Sequence, residues 1–233
     1  MLLFVSTALA STPVETTPCG NAQVVAVHDL WQRAPGAPKP ALEVTLPRIV
    51  VADPALQAKL DALLVPERLV GDTRAQLLSD GWADTVTFNT TLDRSGVVAF
   101  TVLVEGTAAY PDRVTTSLVL DACAGVPIGV EAFSSAGKTA LVGVVTAEVA
   151  RRKAEADPET REMIEGAHFT EADLSGFYAM TSGIAFHVHW GLPHAMAAGG
   201  PDPLVVVPWT TAASAILPRT ALARALPVAS PGN

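Results

Sequence analysis

Cysteine, aromatic and charged residues are all scarce in this chain of 233 residues. It contains two cysteines, and only 6% of its residues are aromatic and 16% charged, whereas 49% are hydrophobic. Two cysteines alone cannot make a tetrahedral zinc site. The apolar fraction excludes a disordered chain and predicts a globular protein with a substantial core.

Basic residues are also in the minority. The chain has 15 lysines and arginines against 23 aspartates and glutamates, which gives a formal net charge of −8. An acidic protein repels phosphates, so we do not expect nucleic acid as a partner. A basic protein is an electrostatically suitable partner.

The N-terminus resembles the end of an export signal. Residues 1–5 read MLLFV, and the Ala8-Leu9-Ala10 sequence before Ser11 matches a signal-peptidase site, although a basic n-region is missing. The alternative is a buried first strand. We expect residues 1–18 to be a signal remnant and the protein to be extracytoplasmic, either periplasmic or secreted. No later run reaches the roughly 18 apolar residues of a membrane helix, so no transmembrane segment is expected.

Cys19 and Cys123 can pair in an oxidising compartment. Such a disulfide would close a loop of about 100 residues, for which loop-closure models give about 4–5 kcal/mol of stabilisation. The alternative is two unrelated thiols.

The first half of the chain reads as a linker followed by a small α+β subdomain. Residues 19–41 are rich in Pro, Thr and Ala and predict a linker, with residues 24–28 as a short strand. Within 42–109 we expect a strand at 42–51, a helix that starts at Asp53-Pro54 and ends at Pro66, and a short helix at 73–79. Alternating apolar residues on both sides of the turn 93–96 predict a hairpin.

The second half, 110–218, predicts a further α+β subdomain. We expect strands at 114–121, 184–190 and 204–207, and helices at 139–153 and 211–217, with a helical excursion or loop at 155–173. Arg151, Arg152 and Lys153 suit the last turn of their helix, and a binding patch is the less favoured reading. The tail 219–233 is expected to fray. The predicted fold class is α+β, with antiparallel sheets, helices packed on one face and two subdomains.

Two histidines form the clearest chemical pattern. His187 and His189 are two apart on a predicted strand, so both face one side, and His194 follows in the next loop. A convergent third ligand would make them a zinc or copper site. The alternative, which we favour, is a solvated strand face whose opposite side (Ile184, Phe186, Val188 and Trp190) is the core side.

Other catalytic patterns are weak. There is no Gly-x-Ser-x-Gly elbow, the Ser134-Ser135 pair near Lys138 reads as a turn, and the aspartates are scattered over caps and turns. We therefore predict no catalytic residues and no cofactor. Among the aromatic residues, Tyr110 before Pro111 is the better surface candidate, whereas Trp190 and Trp209 suit the core.

The order of motifs resembles the RsiV-like extracytoplasmic domain family. This family includes the lysozyme-sensing ectodomain of RsiV-type anti-sigma factors, the N-terminal module of some peptidoglycan deacetylases and many uncharacterised secreted bacterial proteins. The resemblance covers about residues 42–218 and is carried by residues 110–121, 125–128, 131–133, 174–178, 183–190, 193–195, 199 and 205–209.

Three departures separate this chain from the family pattern. Where the family has a Gly-Ala-His turn, this chain has Ala108-Ala109-Tyr110. Trp190 replaces the family's tyrosine after the second-last strand, and Pro193-His194-Ala195 replaces the Pro-Tyr-Ala of the next loop. No anti-sigma segment or deacetylase domain accompanies the motifs. The resemblance implies the fold and an extracytoplasmic setting, and lysozyme binding belongs to particular members only.

The sequence thus predicts a non-catalytic binding module of the bacterial envelope. Its expected partner is a basic protein such as lysozyme, or peptidoglycan, and the predicted binding residues are Tyr110, Pro111 and His194. The alternatives are a metal-binding protein or metalloenzyme built on His187 and His189, and a structural envelope protein.

Overall fold

A six-stranded sheet and a three-stranded sheet, with helices packed on them, form an α+β fold, which confirms the predicted class. The computed structural model describes residues 22–37, 39–107, 111–192 and 201–227. Within these ranges no helix is both long enough and apolar enough to cross a membrane.

The six-stranded sheet has its strands in sequence order. They are β1 (Gln23–Gln32), β2 (Ala41–Val50), β3 (Ala83–Arg94), β4 (Val97–Thr107), β5 (Pro111–Asp121) and β6 (Val126–Pro127). Neighbouring strands are antiparallel except β2 and β3, which run parallel over a short contact at Val44 and Val86. The sheet is therefore mixed and curled rather than purely antiparallel as expected. Three helices follow β2: α1 (Pro54–Leu63), α2 (Pro66–Val70) and α3 (Arg74–Asp80).

The three-stranded sheet is antiparallel and belongs to the second half of the chain. It consists of β7 (Tyr178–Ala179), β8 (Gly183–His187) and β9 (Leu204–Pro208). The long helix α4 (Ser135–Glu155) and the short helix α5 (Pro158–Met163) precede it. The remaining elements are the 3-10 helices Val130–Ala132, Glu171–Gly176 and Ala213–Ala215, and the short helices Trp209–Ala212 and Ala221–Arg224.

Local sequence signals set several boundaries as predicted. The Asp53 side chain accepts the backbone N–H of Ala55 at 2.8 Å, and Pro54 opens α1. The β3–β4 hairpin turns at Ser95 and Gly96, whose φ angles are 51° and 77°. Positive φ at both central residues is the geometry of a type I′ turn, which matches the twist of the two strands.

The part of the predicted linker after residue 22 contains a full strand. β1 pairs with β2 along all ten residues, so the expected short strand at 24–28 is longer than its sequence suggested. Trp31 is buried at the end of β1, and the neighbouring Arg33 backbone N–H donates to the Pro40 carbonyl at 3.0 Å, which closes the hairpin. The strand is therefore held by β2 and the core rather than by its own periodicity.

Three boundaries in the second half differ from the prediction. Ser134 caps α4 through the Gly137 N–H at 2.9 Å, so the Ser134-Ser135 pair starts a helix rather than a turn. Strand β8 ends at His187 instead of residue 190. Part of the tail 219–233, expected to fray, forms the helix Ala221–Arg224, because Leu222 is fully buried and anchors it.

The large sheet separates two hydrophobic cores. Val98 and Phe100 of β4 pack with α1–α3 in one core, which we call the N-terminal core. Val97 and Ala99 of the same strand pack with α4 and the three-stranded sheet in the other, the C-terminal core. β4 is thus covered on both faces.

Candidate functional site

The paired histidines lie where β8 ends. The Val188 N–H donates to the Pro203 carbonyl at 2.7 Å, so the chain continues extended past the last strand residue. Phe186 and Val188 are buried, whereas His187 and His189 are exposed. The prediction of a core side and an outward histidine side is therefore confirmed. The two imidazole rings are neighbours, with centroids 5.0 Å apart.

Two adjoining cavities meet at these histidines. The smaller, of about 230 Å³, is lined by His168 and the larger, of about 690 Å³, by Arg68 and Arg113. Asp173, His187 and His189 line both cavities. We call the combined depression the histidine groove.

Four elements bring the walls of the groove together. Arg68 comes from α2, Thr116 and Ser117 from β5, Asp173 from the 3-10 helix Glu171–Gly176, and His187 from β8. The Thr116 hydroxyl donates to the Leu69 carbonyl, and the Ser117 hydroxyl donates to the Phe177 carbonyl at 3.3 Å. β5 therefore fixes α2 on one side of the groove and the Asp173 segment on the other.

Asp173 is held by a capping box. Its Oδ2 atom accepts both the backbone N–H and the hydroxyl of Thr170, each at 2.7 Å. The Thr170 hydroxyl bond is the main cause that lowers the pKa of Asp173, and the Thr170 N–H and the charges of His168 and His189 lower it further. Asp173 is therefore ionised at neutral pH.

His187 is shifted toward its neutral form. Partial removal of the imidazole from water is the main cause that lowers its pKa, the neighbouring His189 adds to the effect, and Asp202 opposes it. A neutral imidazole offers one N–H donor and one nitrogen acceptor, and the tautomer decides which is which. His187 can therefore both give and accept a hydrogen bond in the groove at neutral pH.

The predicted metal set is incomplete among the residues that the structure describes. No group of three or more His, Cys, Asp or Glu side chains there is arranged to hold a metal ion. His194, one of the predicted binding residues, lies outside the described residues.

The other predicted site residues are spread over the chain. Tyr110 and Cys19 lie outside the described residues, Pro111 is the first residue of β5, and Cys123 is disulfide-bonded. Trp190 and Trp209 are buried, as expected. Trp209 donates its indole N–H to the Met180 carbonyl at 3.0 Å.

The basic run at the end of α4 contacts other parts of the protein. Arg152 donates to the Leu204 carbonyl at 3.1 Å, and Lys153 donates to the Glu165 carbonyl at 2.7 Å. Arg151 pairs with Glu148 and Glu155. The last carbonyls of α4 are instead bound by Arg161, which donates to Ala154 at 2.8 Å. Arg152 and Lys153 lie in the last turn of α4, as predicted, and Arg161 of α5 adds a direct hydrogen bond to its terminal carbonyls.

Sequence reasoning missed Arg68 and Asp173. The spacing Thr170-x-x-Asp173 is a capping-box pattern and signals a fixed carboxylate. Arg68 has no local signal, because the groove that it lines is assembled by β5, β7 and β8, more than 40 residues further along the chain.

Comparison with known proteins supports the fold. No family model matches this chain, and no curated protein matches it. A DUF3298 family member from Bacteroides fragilis NCTC 9343 is similar in structure, with 17% identity, a TM-score of 0.54, and coverage of 85% of this chain and 94% of its own. A DUF3298 family protein from Pseudomonas aeruginosa PAO1 is 13% identical with a TM-score of 0.55, and covers 84% of this chain and 94% of its own.

These two proteins share the fold with our chain, and their identities are too low to carry a function. They fit the expected resemblance to uncharacterised bacterial proteins. The specific likeness to RsiV-type ectodomains stays a prediction.

Proposed function

We propose that this protein is a non-catalytic binding module of the bacterial envelope that holds a cell-wall glycan in the histidine groove. The observation that carries the proposal is the groove itself, whose two cavities of about 230 and 690 Å³ meet at Asp173, His187 and His189. Ligand sites in proteins are concave, and volumes of about 300–1,000 Å³ are typical.

The polar groups in the groove suit the hydroxyls of a sugar. Asp173 offers an ionised acceptor, and His187 offers a donor and an acceptor in its neutral form. Sugar hydroxyls need both kinds of partner, because each is a donor and an acceptor at once. The walls are fixed by the hydroxyl bonds of Thr116 and Ser117, so little ordering is needed on binding.

The same bonds argue against nucleophilic catalysis by these hydroxyls. Thr116 and Ser117 each give their one hydroxyl proton to a backbone carbonyl, so neither donates to an imidazole. An activated nucleophile requires that bond to a base. The ionised Asp173 lacks the raised pKa that a general acid requires.

A glycan-binding assay tests the proposal. Purified protein should be retained by insoluble peptidoglycan, and Asp173→Ala and His187→Ala should each reduce retention about tenfold, since each removes a groove contact. Arg48→Gln is the matched control, because Arg48 pairs with Asp61 and lines neither cavity. Equal retention of all four proteins would contradict the proposal.

The extracytoplasmic location rests on two supports. The first is the apolar start of the chain followed by Ala8-Leu9-Ala10. The second is that Cys123 is disulfide-bonded, since stable disulfides belong to oxidising compartments. Cell fractionation of the native protein should find it outside the cytoplasm, and a cytoplasmic pool with reduced thiols would refute this location.

A basic protein such as lysozyme is the second candidate partner, favoured by the net charge of −8. Pull-down with lysozyme across a salt series tests it: retention at low salt that falls with added salt supports this partner, and no retention at low salt rejects it.

A bound metal is the catalytic alternative, favoured by the 5.0 Å separation of the His187 and His189 rings. Stoichiometric metal that is lost in His187→Ala and His189→Ala would support it, and metal-free protein would end it. A structural envelope protein would bind neither a glycan, nor lysozyme, nor a metal.

A further inference from the structure

We propose that the histidine groove takes an acidic saccharide, and that Arg68 anchors the carboxylate of that sugar. This inference rests on the proposed function and narrows it from glycans in general to those that carry a carboxylate.

The charge balance in the groove is the reverse of that in the chain. Acidic residues outnumber basic ones by 23 to 15 overall. In the groove, the two arginines Arg68 and Arg113 face one carboxylate, that of Asp173. A local excess of cationic groups in an acidic protein favours an anionic ligand at that place.

Arg68 is exposed and makes no side-chain hydrogen bond or ion pair with any residue in the described part of the chain. By contrast, Arg48, Arg151 and Arg224 all reach carboxylates of their own. A guanidinium is a planar fork that binds a carboxylate through two parallel hydrogen bonds. Arg68 therefore has its binding capacity available to a ligand.

The backbone that carries Arg68 is fixed. Its N–H donates to the Val65 carbonyl at 3.0 Å, and the next two residues, Leu69 and Val70, are buried in the N-terminal core. The Thr116 hydroxyl holds the Leu69 carbonyl from β5. The guanidinium is thus presented from a rigid base beside the groove.

The two ends of the groove also differ in their charged residues. Arg68 and Arg113 line only the larger cavity, whereas His168 lines only the smaller one, and Asp173 lines both. Arg113 lies 3.6 Å from Glu105, and both side chains are exposed, so this ion pair contributes little to stability. We place the carboxylate of the sugar at the arginine end and its hydroxyls at the histidine end, near Asp173.

Acidification should strengthen binding of such a ligand. The charged and titratable groups around His187 and His189 are His168, Asp173, Tyr178, Asp202, Arg68 and Arg113. As the pH falls below the ordinary histidine value of about 6.5, His187 gains a proton, while sugar carboxylates stay ionised down to about pH 4. Because the pKa of His187 is lowered, its contribution appears only below that ordinary histidine range.

Two disaccharides that differ by one acidic group give the direct test. N,N′-Diacetylchitobiose is neutral, and N-acetylglucosaminyl-N-acetylmuramic acid adds a lactyl carboxylate to the same backbone. Calorimetry should show the acidic disaccharide binding at least about tenfold more tightly, and Arg68→Gln should remove this preference. Arg48→Gln should keep it. Between about pH 6.5 and 4.5 the affinity for the acidic sugar should rise, and His187→Gln should reduce the rise.

The outcomes separate this inference from the proposed function. Equal binding of both disaccharides, unchanged in Arg68→Gln, would overturn the anionic ligand and leave a glycan-binding module. Binding of neither disaccharide, together with no retention by peptidoglycan, would overturn both. A carboxylate-rich peptide that binds more tightly than the acidic disaccharide would show that the anion is read but the sugar is not, which also overturns the proposal.

Discussion

Gly137 shows how one residue without a side chain lets two segments meet. A Cβ atom at this position would lie 2.3 Å from the Ala215 carbonyl oxygen, which is far inside van der Waals contact. Gly143 is in the same helix, but a Cβ atom there would meet nothing within 4 Å. There is therefore room for a side chain at Gly143 but not at Gly137.

Gly137→Ala and Gly143→Ala should move the free energy of unfolding in opposite directions. We expect Gly143→Ala to stabilise the protein by about 0.8–1 kcal/mol, because alanine is the better helix former. Gly137→Ala should destabilise it by about 1–3 kcal/mol, because the methyl group forces α4 away from Ala215. Denaturant unfolding of both variants measures the difference, and equal shifts would contradict the close approach.

For single residues, roles that depend on sequence neighbours could be predicted from the sequence, whereas roles that depend on distant residues could not. Asp53, Pro54 and Gly96 act through their nearest neighbours, so their cap and turn roles could be predicted from the chain. The clash that constrains Gly137 comes from a residue about 80 positions later, and no pattern around Gly137 signals it.

The C-terminal helix Ala221–Arg224 shows how a short element is held by tertiary contacts. Leu222 is fully buried in the C-terminal core. Arg224 donates to the Asp121 carboxylate at 2.8 Å, and the same oxygen accepts the N–H of Cys123 at 3.0 Å. Four residues are too few for a stable helix on their own. Packing and this ion pair hold the helix, which is why propensity alone predicted fraying.

Leu222→Ala should therefore destabilise the protein by about 2–5 kcal/mol, since it leaves a cavity in a packed core. The control is Leu217→Ala, which changes a side chain that is 37% exposed and should have a much smaller effect. Thermal and denaturant unfolding measure both. Similar effects of the two substitutions would mean that the C-terminal helix is not anchored by Leu222.

For the molecule as a whole, the important feature is that the two cores share a strand. Val98 and Phe100 of β4 belong to the N-terminal core, and Val97 and Ala99 belong to the C-terminal core. Thr91 adds a second link, because its hydroxyl donates to the Ala179 carbonyl of β7 at 2.7 Å and its own carbonyl accepts the Thr181 N–H at 3.0 Å.

We expect this arrangement to unfold in a single cooperative transition. Loss of either core would leave one apolar face of β4 exposed to water, so neither core is stable without the other. Trp31 reports on the N-terminal core and Trp190 and Trp209 on the C-terminal core. The unfolding transition followed by fluorescence should coincide with the one followed by far-UV circular dichroism. The same should hold for a Trp31→Phe/Trp82→Phe variant, whose remaining tryptophans, Trp190 and Trp209, lie in the C-terminal core. Separate midpoints would refute the coupling.

The sequence predicted most elements and the fold class, but it predicted neither this shared strand nor the groove. The run Val97–Phe100 is apolar on both faces, which is consistent with double burial, yet the chain does not say what covers each face. The groove depends on three long-range hydrogen bonds within the chain, those of Thr116, Ser117 and Thr91. Each joins residues at least 47 positions apart in the sequence. Such pairings are set by topology, which local patterns do not record.

The doubly covered β4 has a consequence for how this protein can change over evolutionary time. Neither half of the chain can be transferred alone. A recombination event that moved only the first or only the second half would leave an exposed hydrophobic face on β4. Recombination between distant relatives therefore has to transfer both halves of the chain together. Under the proposed function, differences in ligand preference are then expected to arise from point substitutions along the groove rather than from exchange of subdomains.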